Sequence, residues 1–278
     1  MVGVVDLLGT ETATPAVGEI VAALTFYGSY SQYICLPVQE WVPMPSGVDP
    51  AEAVCLVLNY VAAYQMLHRV AHLAPNQQIL VHGAAGGVGT AFLELGNLAG
   101  LEVFGTPSRP KHGLVASLGA TPIDYRTEDF AGRIGTLTKG AGVDAAFDPR
   151  GSAHLRLSAM AVRKGGTVVA YGFYQAANRG SNVLLDVLAQ YVWMTLWSMP
   201  SKMKRVAFYD IRPTKKKHPD WFREDLTTLV KLLLAGKLKP VIAARLQLTD
   251  VAIAHQRVER ADVLGKLILM PNGDVSAA

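Results

Sequence analysis

A glycine cluster, Ala84 to Gly89 in the stretch ILVHGAAGGVGT, is the group of residues best suited to holding a phosphate. It follows a G-x-G-x-x-G frame with alanine in the first position. Gly86 would let the backbone approach a diphosphate, and Gly89 would let a new helix pack closely on the preceding strand. N–H groups at the helix start would then face the phosphates, although a strand–helix turn without a ligand is the alternative. The residues predicted to contact a nucleotide are Ala84, Ala85, Gly86, Gly87, Val88 and Gly89.

A second group of polar residues lies in the segment GTPSRPK (Gly105–Lys111), where a ribose would be expected. Domains that bind NAD place an acid about 20 residues after the glycines, at the end of the second strand. Here the nearest acid, Glu102, lies at the other end of that strand. Ser108, Arg109 and Lys111 instead offer a hydroxyl and two cations, which suit a 2′-phosphate. The segment therefore predicts NADPH rather than NADH, and a solvated basic loop is the alternative.

Short apolar runs alternate with segments of helical spacing between Ile79 and Leu196, which predicts strands and helices in turn. Nearly all-apolar strands are typical of a parallel sheet that helices cover on both faces. The pattern therefore predicts an α/β fold with a doubly wound parallel sheet, whose ligands bind at the carboxyl ends of the strands. The predicted strands are Ile79–His82, Leu101–Thr106, Thr121–Asp124, Val143–Asp148, Gly166–Gly172 and Tyr191–Leu196. The predicted helices between them are Thr90–Ala99, His112–Gly119, Asp129–Gly140 and Ala153–Val162.

The composition is that of a folded chain with a substantial core, because 50% of the 278 residues are hydrophobic and 17% are charged. The net charge of +4 disfavours a polyanionic partner, so no nucleic acid is expected. Cys35 and Cys55 form neither a closely spaced ligand pair nor a disulfide framework, which suits a reducing cytoplasm. No signal peptide opens the chain, and the apolar segment Val183–Trp197 is too short and too polar to span a bilayer.

The segment Ser201–Trp221 is the one notable basic tract, and it mixes lysines and arginines with aromatic residues. We interpret it as a solvated connecting loop, with contact to RNA or to an anionic membrane surface as the alternative. An amphipathic helix, Trp221–Pro240, is predicted after it and should end near Gly236. The remaining predicted elements are the strand Val241–Leu248, the helix Asp250–Arg260 and the strand Gly265–Pro271.

Several motifs along the chain resemble the medium-chain dehydrogenase/reductase superfamily: the glycine turn, GATPIDYRTEDF, VDAAFDPRG, GTVVAYGF and AHQRVERADVLGKLILMP. Within that superfamily the chain is most similar to the zinc-independent quinone oxidoreductase branch, which includes zeta-crystallin-like and VAT-1-like proteins. The resemblance implies a homodimer and three segments in each chain. These are a partial GroES-like catalytic domain at 1–50, an NADPH-binding Rossmann domain at 51–205 and a return to the catalytic domain at 206–278.

The resemblance also implies roles for residues outside the glycine turn. Lys111 and Tyr125 match residues near the adenosine 2′-phosphate, although Tyr125 could instead cap the edge of the sheet. Asn59 and Tyr60 lie where the zinc-dependent relatives build their active site, so Asn59 is a candidate substrate contact. Tyr60 is a candidate proton donor to a substrate oxygen, and a packing role for its ring is the alternative. The residues that match the loop bordering the nicotinamide are Tyr171, Gly172 and Phe173.

No metal ion is expected in this chain. Relatives with a structural zinc carry four closely spaced cysteines, whereas this chain has 2 cysteines in all. The position of their third catalytic ligand holds Leu58, which cannot coordinate a metal, and we interpret Cys55 as a small buried side chain. Two further positions depart from the relatives. Ala62 replaces a threonine that often contacts the nicotinamide amide, and Arg150 stands where a small or apolar residue is usual.

The beginning of the chain matches only the later strands of a GroES-like domain. Val2–Gly9 corresponds to an internal strand of that domain and Val17–Leu24 to the next one. The earlier strands are absent, and a truncated gene product, a mis-assigned start and a natural remnant are all compatible with the sequence.

The activity that the resemblance implies is hydride transfer from the nicotinamide of NADPH to a small-molecule acceptor. The acceptor would be a quinone, or the β-carbon of a conjugated enone or enal, and no metal is needed if a hydroxyl or water polarises the carbonyl. The alternative is a weakly active or inactive NADPH-binding protein that acts through partners.

Overall fold

The computed structural model describes residues 1–171 and 204–271, without the side chains of Ser152 and Ala153. The chain folds into two compact units, one made of Met1–Val61 and Asp220–Ala278 and the other of Ala62–Pro219. The first unit is therefore interrupted in the sequence by the second. The domain boundaries predicted from the sequence stay a prediction.

The first unit begins with a small antiparallel sheet. Its strands are shorter than the predicted runs Val2–Gly9 and Val17–Leu24, because regular pairing stops after a few residues. One further bond, from the N–H of Val5 to the carbonyl of Glu19 at 2.9 Å, extends the pairing past the first strand. In the order of the sheet, the strands are β1 (Val2–Val4), β2 (Ile20–Ala22) and β3 (Val42–Pro43).

A continuous helical segment follows the small sheet. It begins at Asp49, whose carboxylate accepts the N–H of Ala51 at 2.9 Å, and Pro50 suits the first helical position. A π-helical turn in this segment carries Asn59 and Tyr60, and such turns are frequent at functional sites. The parts of the segment are α1 (Pro50–Cys55), the π-helical turn Leu56–Tyr60, α2 (Val61–Tyr64) and a second π-helical turn, Gln65–Val70.

Among the described residues, the second unit contains a sheet of six strands: β4 (Gln78–His82), β5 (Glu102–Thr106), β6 (Thr121–Pro122), β7 (Val143–Asp148), β8 (Val162–Ala170) and β9 (Arg205–Phe208). All neighbouring pairs are parallel, in the spatial order β6-β5-β4-β7-β8-β9. This confirms the predicted doubly wound α/β fold. Because β4 pairs with both β5 and β7, the sheet grows in opposite directions from it, and such folds bind ligands at that point of the carboxyl edge. The connecting helices are α3 (Gly87–Leu98), α4 (His112–Ser117), α5 (Phe130–Leu137) and α6 (Ser152–Ala161).

The core of this unit lies between the sheet and its helices. The strands contribute fully buried side chains such as Leu80, Phe104 and Val168, and the helices α5 and α6 contribute Ile134 and Leu155. Helices on both faces of the sheet leave few strand positions in contact with water. This is why the strands are recognisable in the sequence as nearly continuous apolar runs.

The predicted sixth strand, Tyr191–Leu196, lies outside the described residues. Among the described residues, β9 pairs with β8 and forms that edge of the sheet. The interpretation of Ser201–Trp221 as a connecting loop is wrong, since it contains β9 and a helix, α7 (Ile211–Lys217). Backbone pairing with β8 and the packing of Val206 on the core stabilise this strand. Its sequence neighbours are charged, so the sequence pattern did not predict a strand here.

The final elements follow the predicted order. The amphipathic helix α8 (Pro219–Leu234) is followed by Gly236, whose φ of 66° lies in the left-handed region that glycine favours. A parallel pair of strands, β10 (Ile242–Gln247) and β11 (Lys266–Met270), is connected by α9 (Val251–Glu259). Within the described residues, no helix combines the length and the apolar composition that crossing a membrane requires. The apolar segment that was too short to be predicted as a span lies outside those residues.

Gly89 is the point where α3 comes closest to the turn before it. A Cβ added at Gly89 would lie 2.2 Å from the carbonyl oxygen of Gly83 and 2.7 Å from the backbone of Ala84. Gly89→Ala should therefore lower the free energy of unfolding by about 1–3 kcal/mol or prevent folding, because the backbone atoms cannot move aside. Gly113→Ala is the matched control, since a Cβ there meets nothing within 4 Å and alanine favours α4. Equal midpoints for the two variants in thermal unfolding would contradict the close approach.

Candidate functional site

The glycine turn joins β4 to α3 at the carboxyl edge of the sheet. Gly83 has a φ of 65°, and its carbonyl accepts the N–H of Gly86 at 2.9 Å, so the chain reverses tightly. Gly86 is the N-cap of α3. Gly87, Val88 and Gly89 form the first turn of the helix. The carbonyl groups that would accept their N–H bonds in a longer helix belong to residues before the helix begins. These N–H groups are donors at the positive end of the helix, where an anion is stabilised.

Ala84 and Ala85, the first two residues of the glycine frame, are buried. A Cβ added at Gly105, in the neighbouring strand β5, would be 2.8 Å from the Cβ of Ala84. The alanine in the first position of the glycine frame is therefore accommodated by a glycine in the next strand. The sequence pattern gives no signal for the contact between Ala84 and Gly105, because Ala84 follows one strand and Gly105 belongs to another.

The residues predicted to face a 2′-phosphate follow β5. Ser108 is 8% exposed and precedes a short 3-10 helix, Arg109–Lys111. The N–H of Lys111 donates to the carbonyl of Ser108 at 2.8 Å, which closes this turn. Arg109 is exposed and Lys111 is half-buried. The turn therefore places two cations beyond the carboxyl end of the strand adjacent to β4.

Tyr125, beyond the end of β6, lies between two arginines. Its N–H donates to the carbonyl of Pro107 at 3.4 Å, and the residue is 40% exposed. The guanidinium carbons of Arg126 and Arg150 lie 5.7 Å and 5.9 Å from the ring centroid, within the range of cation–π contacts. Nε of Arg126 also donates to the Tyr125 hydroxyl at 3.3 Å, and this bond raises the pKa of Arg126 above its usual value. No motif in the sequence identifies Arg126, and Arg150 is notable there only as a departure from relatives.

A buried hydrogen-bond network supports this edge of the sheet. Asp148, the last residue of β7, accepts through Oδ2 from the hydroxyl of Ser158 at 2.6 Å and from Nδ1 of His154 at 2.7 Å. Its Oδ1 accepts the N–H groups of Arg150 at 2.7 Å and Gly151 at 3.1 Å. Asp148 is 0% exposed, so these bonds replace the water that a carboxylate would otherwise require.

His82, the last residue of β4, joins this network through both ring nitrogens. Its Nδ1 lies 2.9 Å from Oγ1 of Thr106, and its Nε2 lies 3.0 Å from Oγ of Ser158. Because Ser158 gives its proton to Asp148, Nε2 of His82 carries the proton donated to Ser158, and Nδ1 accepts from Thr106. Burial lowers the pKa of His82 to about 3, so the imidazole stays neutral.

The same network decides the charge of Asp148. Burial alone would raise the pKa of this carboxyl, but the bond from His154, the nearby imidazoles and the bond from Ser158 hold it well below its usual range. His82, Asp148 and His154 also form the one His/Cys/Asp/Glu group in the described residues whose ligand atoms all lie within 4.8 Å. The 2.7 Å between His154 Nδ1 and Asp148 Oδ2 is a hydrogen-bond length. Two ligands of a tetrahedral zinc would be about 3.3 Å apart, so we interpret the group as structural support.

Tyr171 follows β8 and is linked to the same edge. Its ring packs against Phe92 with centroids 5.8 Å apart, and its N–H donates to the carbonyl of Asp148 at 3.1 Å. Burial and the charge of Asp148 raise the pKa of the Tyr171 phenol well above its usual range, so the hydroxyl stays protonated. The other two residues predicted to border a nicotinamide, Gly172 and Phe173, lie outside the described residues.

The candidate catalytic residues belong to the first unit, on the π-helical turn after α1. Tyr60 is 1% exposed and Asn59 is 6% exposed. Nζ of Lys266, for which the sequence gives no signal, donates to Oδ1 of Asn59 at 3.4 Å, and burial lowers the pKa of this lysine.

Leu58, at the position where a zinc ligand was considered, is 39% exposed. Burial raises the pKa of the Cys55 thiol to about 11, in keeping with a packing role for that side chain.

Comparison with known proteins gives a consistent result. The family described as Zinc-binding dehydrogenase matches residues 118–269. The sequence is 31% identical over 276 residues to the synaptic vesicle membrane protein VAT-1 homolog of Danio rerio, covering 96% of this chain and 56% of that protein. The fold matches the quinone oxidoreductase of Pseudomonas syringae pv. Tomato with a TM-score of 0.83 and 29% identity, over 97% of this chain and 80% of that one. Escherichia coli quinone oxidoreductase, solved in complex with NADPH, has the same fold, with a TM-score of 0.83 at 23% identity and the same two coverages, 97% and 80%.

A parallel sheet that grows in opposite directions from one strand, with a glycine turn at the end of that strand, defines a Rossmann-type fold. The chain belongs to the zinc-binding dehydrogenase family of the medium-chain dehydrogenase/reductase superfamily, in its zeta-crystallin/VAT-1-like branch. The resemblance carried by the sequence motifs is thereby confirmed. The chain spans 56% of the length of the Danio rerio relative.

The neutral, buried His82 makes the stability of the protein depend on pH. The pKa of His82 is about 3 in the folded protein, against a usual value of 6.5. Between these values the unfolded state binds more protons, so the free energy of unfolding should fall as the pH is lowered from 6.5 towards 3. The slope from this one group is at most about 1.4 kcal/mol per pH unit. His82→Gln should show a shallower fall than the wild-type protein in urea titrations across this range, and parallel curves would refute the assignment.

Proposed function

We propose that the protein is a zinc-independent oxidoreductase that uses NADPH to reduce a quinone or a conjugated enone or enal. The observation that carries the proposal is the set of free helical N–H groups at the glycine turn, with cations following the neighbouring strands. Backbone donors suit the diphosphate of a dinucleotide, and the cations suit an additional phosphate. The names of the Pseudomonas and Escherichia coli structures support the choice of acceptor.

The residues of the second unit fit this cofactor. The donors of Gly87, Val88 and Gly89 would hold the diphosphate. Arg109 and Lys111, which lie beyond the adjacent strand, would hold the 2′-phosphate, with Ser108 and Tyr125 beside them. No acid occupies the end of β5, where a dinucleotide without the extra phosphate would find a partner for its ribose. The complex of the Escherichia coli enzyme with NADPH supports the same choice.

Zinc does not fit the residues at the expected position. Leu58 stands where the zinc-dependent relatives have a ligand, and its aliphatic side chain has no atom that coordinates a metal. Cys55 lies three positions before Leu58, and its thiol is buried with a raised pKa, which suits packing. The proposed reaction therefore has no metal-dependent step.

NADPH, when bound, would supply the hydride that the acceptor receives. The protein itself would orient the nicotinamide, exclude water and provide a proton to the reduced oxygen. Tyr60 is the candidate donor of that proton, and Asn59 is the candidate contact to the substrate. Tyr171 and the two residues after it would border the nicotinamide.

A weakly active NADPH-binding protein that acts through partners is the second candidate. Ala62 favours it, because alanine has no hydroxyl to hold the nicotinamide amide, and Tyr60 at 1% exposure is also suited to simple packing. Binding of NADPH does not distinguish the two candidates, whereas turnover does.

The resemblance to the superfamily also supports a homodimer, and the cysteine content supports a cytoplasmic protein. We propose both for this chain. Light scattering of the purified protein tests the first, since a monomer would have the mass of one chain, 29.8 kDa.

Turnover is the direct test of the proposed activity. With a panel of quinones, enones and enals, the protein should oxidise NADPH continuously, and a metal chelator should leave the rate unchanged, since no zinc is involved. NADH should be a poorer substrate, by about tenfold or more in kcat/KM. Tight NADPH binding without turnover on any acceptor would instead establish the second candidate.

The cations beyond β5 should determine the preference between the two dinucleotides. The double variant Arg109→Ala with Lys111→Ala should weaken NADPH binding by roughly tenfold to a hundredfold and NADH binding much less, since only NADPH carries the 2′-phosphate. Lys164→Ala is the control, because Lys164 is exposed near the amino end of β8. Fluorescence titration measures both affinities. An equal loss of affinity for NADPH and NADH would show that these cations do not bind the 2′-phosphate.

A further inference from the structure

We propose that Arg150 is a specificity-determining residue that contacts the 2′-phosphate of NADPH from the loop after β7, beside Tyr125 and Arg126. The proposal rests on the proposed use of NADPH and adds a contact that the resemblance does not assign.

The contact between Arg150 and Tyr125 joins loops from distant strands. Tyr125 follows β6 and Arg150 follows β7, and the strands β5 and β4 lie between these two in the sheet. Strands about 4.8 Å apart would put the two strand ends roughly 14 Å from each other. The Arg150 guanidinium carbon nevertheless lies 5.9 Å from the Tyr125 ring centroid. The side chains of Arg150 and Tyr125 thus reach towards each other across the carboxyl ends of β5 and β4, which is where this fold receives a ribose.

The charges around Tyr125 leave room for an anion. Among the residues that the structure describes, the Arg150 guanidinium forms no salt bridge with a carboxylate, whereas Arg163 and Arg245 each do. Asp124, the acid next to Tyr125 in the sequence, is 4% exposed and accepts the backbone N–H of Arg126 at 3.0 Å. Two guanidinium groups near one ring repel each other, and a phosphate close to both would remove that repulsion.

The backbone of the loop that carries Arg150 is held by hydrogen bonds that do not involve the Arg150 side chain. Oδ1 of Asp148 accepts the backbone N–H groups of Arg150 and Gly151, at 2.7 Å and 3.1 Å. Gly151 has a φ of 72°, a conformation that glycine adopts without strain. Replacing the Arg150 side chain should therefore leave the loop in place, so that a change in binding reports the lost guanidinium.

The test compares 2′,5′-ADP with 5′-AMP, two probes that differ in the 2′-phosphate and need no turnover. By isothermal titration, Arg150→Ala should weaken 2′,5′-ADP by roughly tenfold or more while 5′-AMP changes by less than about twofold. Arg150→Lys should recover part of the loss, since it keeps the charge but not the planar fork. Lys164→Ala removes one exposed positive charge elsewhere and should alter neither affinity. Thermal unfolding of each variant checks that the fold is kept.

Two outcomes would overturn the inference. Unchanged affinity of Arg150→Ala for 2′,5′-ADP would remove Arg150 from the site, and an equal loss for both probes would make it a contact of the adenine or the 5′-phosphate.

Failure of the proposed reductase activity would give a different result. In that case the wild-type protein would still prefer 2′,5′-ADP through Arg150, but would oxidise no NADPH with any quinone or enone.

Discussion

The carboxyl edge of the large sheet depends on one buried charge, the carboxylate of Asp148. A carboxylate with no exposed surface is tolerated only where hydrogen bonds replace its water. Those bonds come from two side chains of α6, Ser158 and His154, and from two backbone N–H groups of the following loop. Through Ser158 the network reaches His82 at the end of β4. One acid thus holds together the ends of the two central strands, a helix and a loop.

This constraint also determines what the edge can present to a ligand. The glycine turn follows His82, and the loop with Arg150 follows Asp148, so both start from residues whose side chains are fixed in the network. The parts that would meet an anion, backbone N–H groups and guanidinium groups, lie directly beyond this support. A site that holds a dinucleotide benefits from such preorganisation, because its donors are already in place when the ligand arrives.

The two candidate functions share the proposed nucleotide-binding edge and differ in the first unit. Asn59 and Tyr60 are nearly inaccessible, and the amide of Asn59 accepts a bond from Lys266. A buried lysine beside a candidate substrate contact is chemically unusual, since burial favours its neutral form. A catalytic role for Lys266 and Asn59 would favour a reductase, and a packing role would favour a protein that only binds NADPH.

The sequence by itself determined the order of elements, the class of fold and the glycine turn. Strands buried on both faces are apolar throughout, and a turn with a close backbone approach requires glycine, so these features are visible in short stretches. The same holds for the cations after β5, which a local motif places at the end of a strand. The strand β9 was hidden, because its stability comes from pairing with the edge of β8 rather than from its own residues.

Only the tertiary structure decided which polar residues meet. His82 and Ser158 are 76 positions apart in the sequence. They are hydrogen-bonded because β4 pairs with β7 and because α6, which follows β7, holds Ser158 beside Asp148. Tyr125 and Arg150 meet across two intervening strands, a contact that no spacing in the sequence can express. Periodicity and turn chemistry are local properties of a chain, whereas these contacts depend on strand order and register, which arise only when the whole sheet has formed.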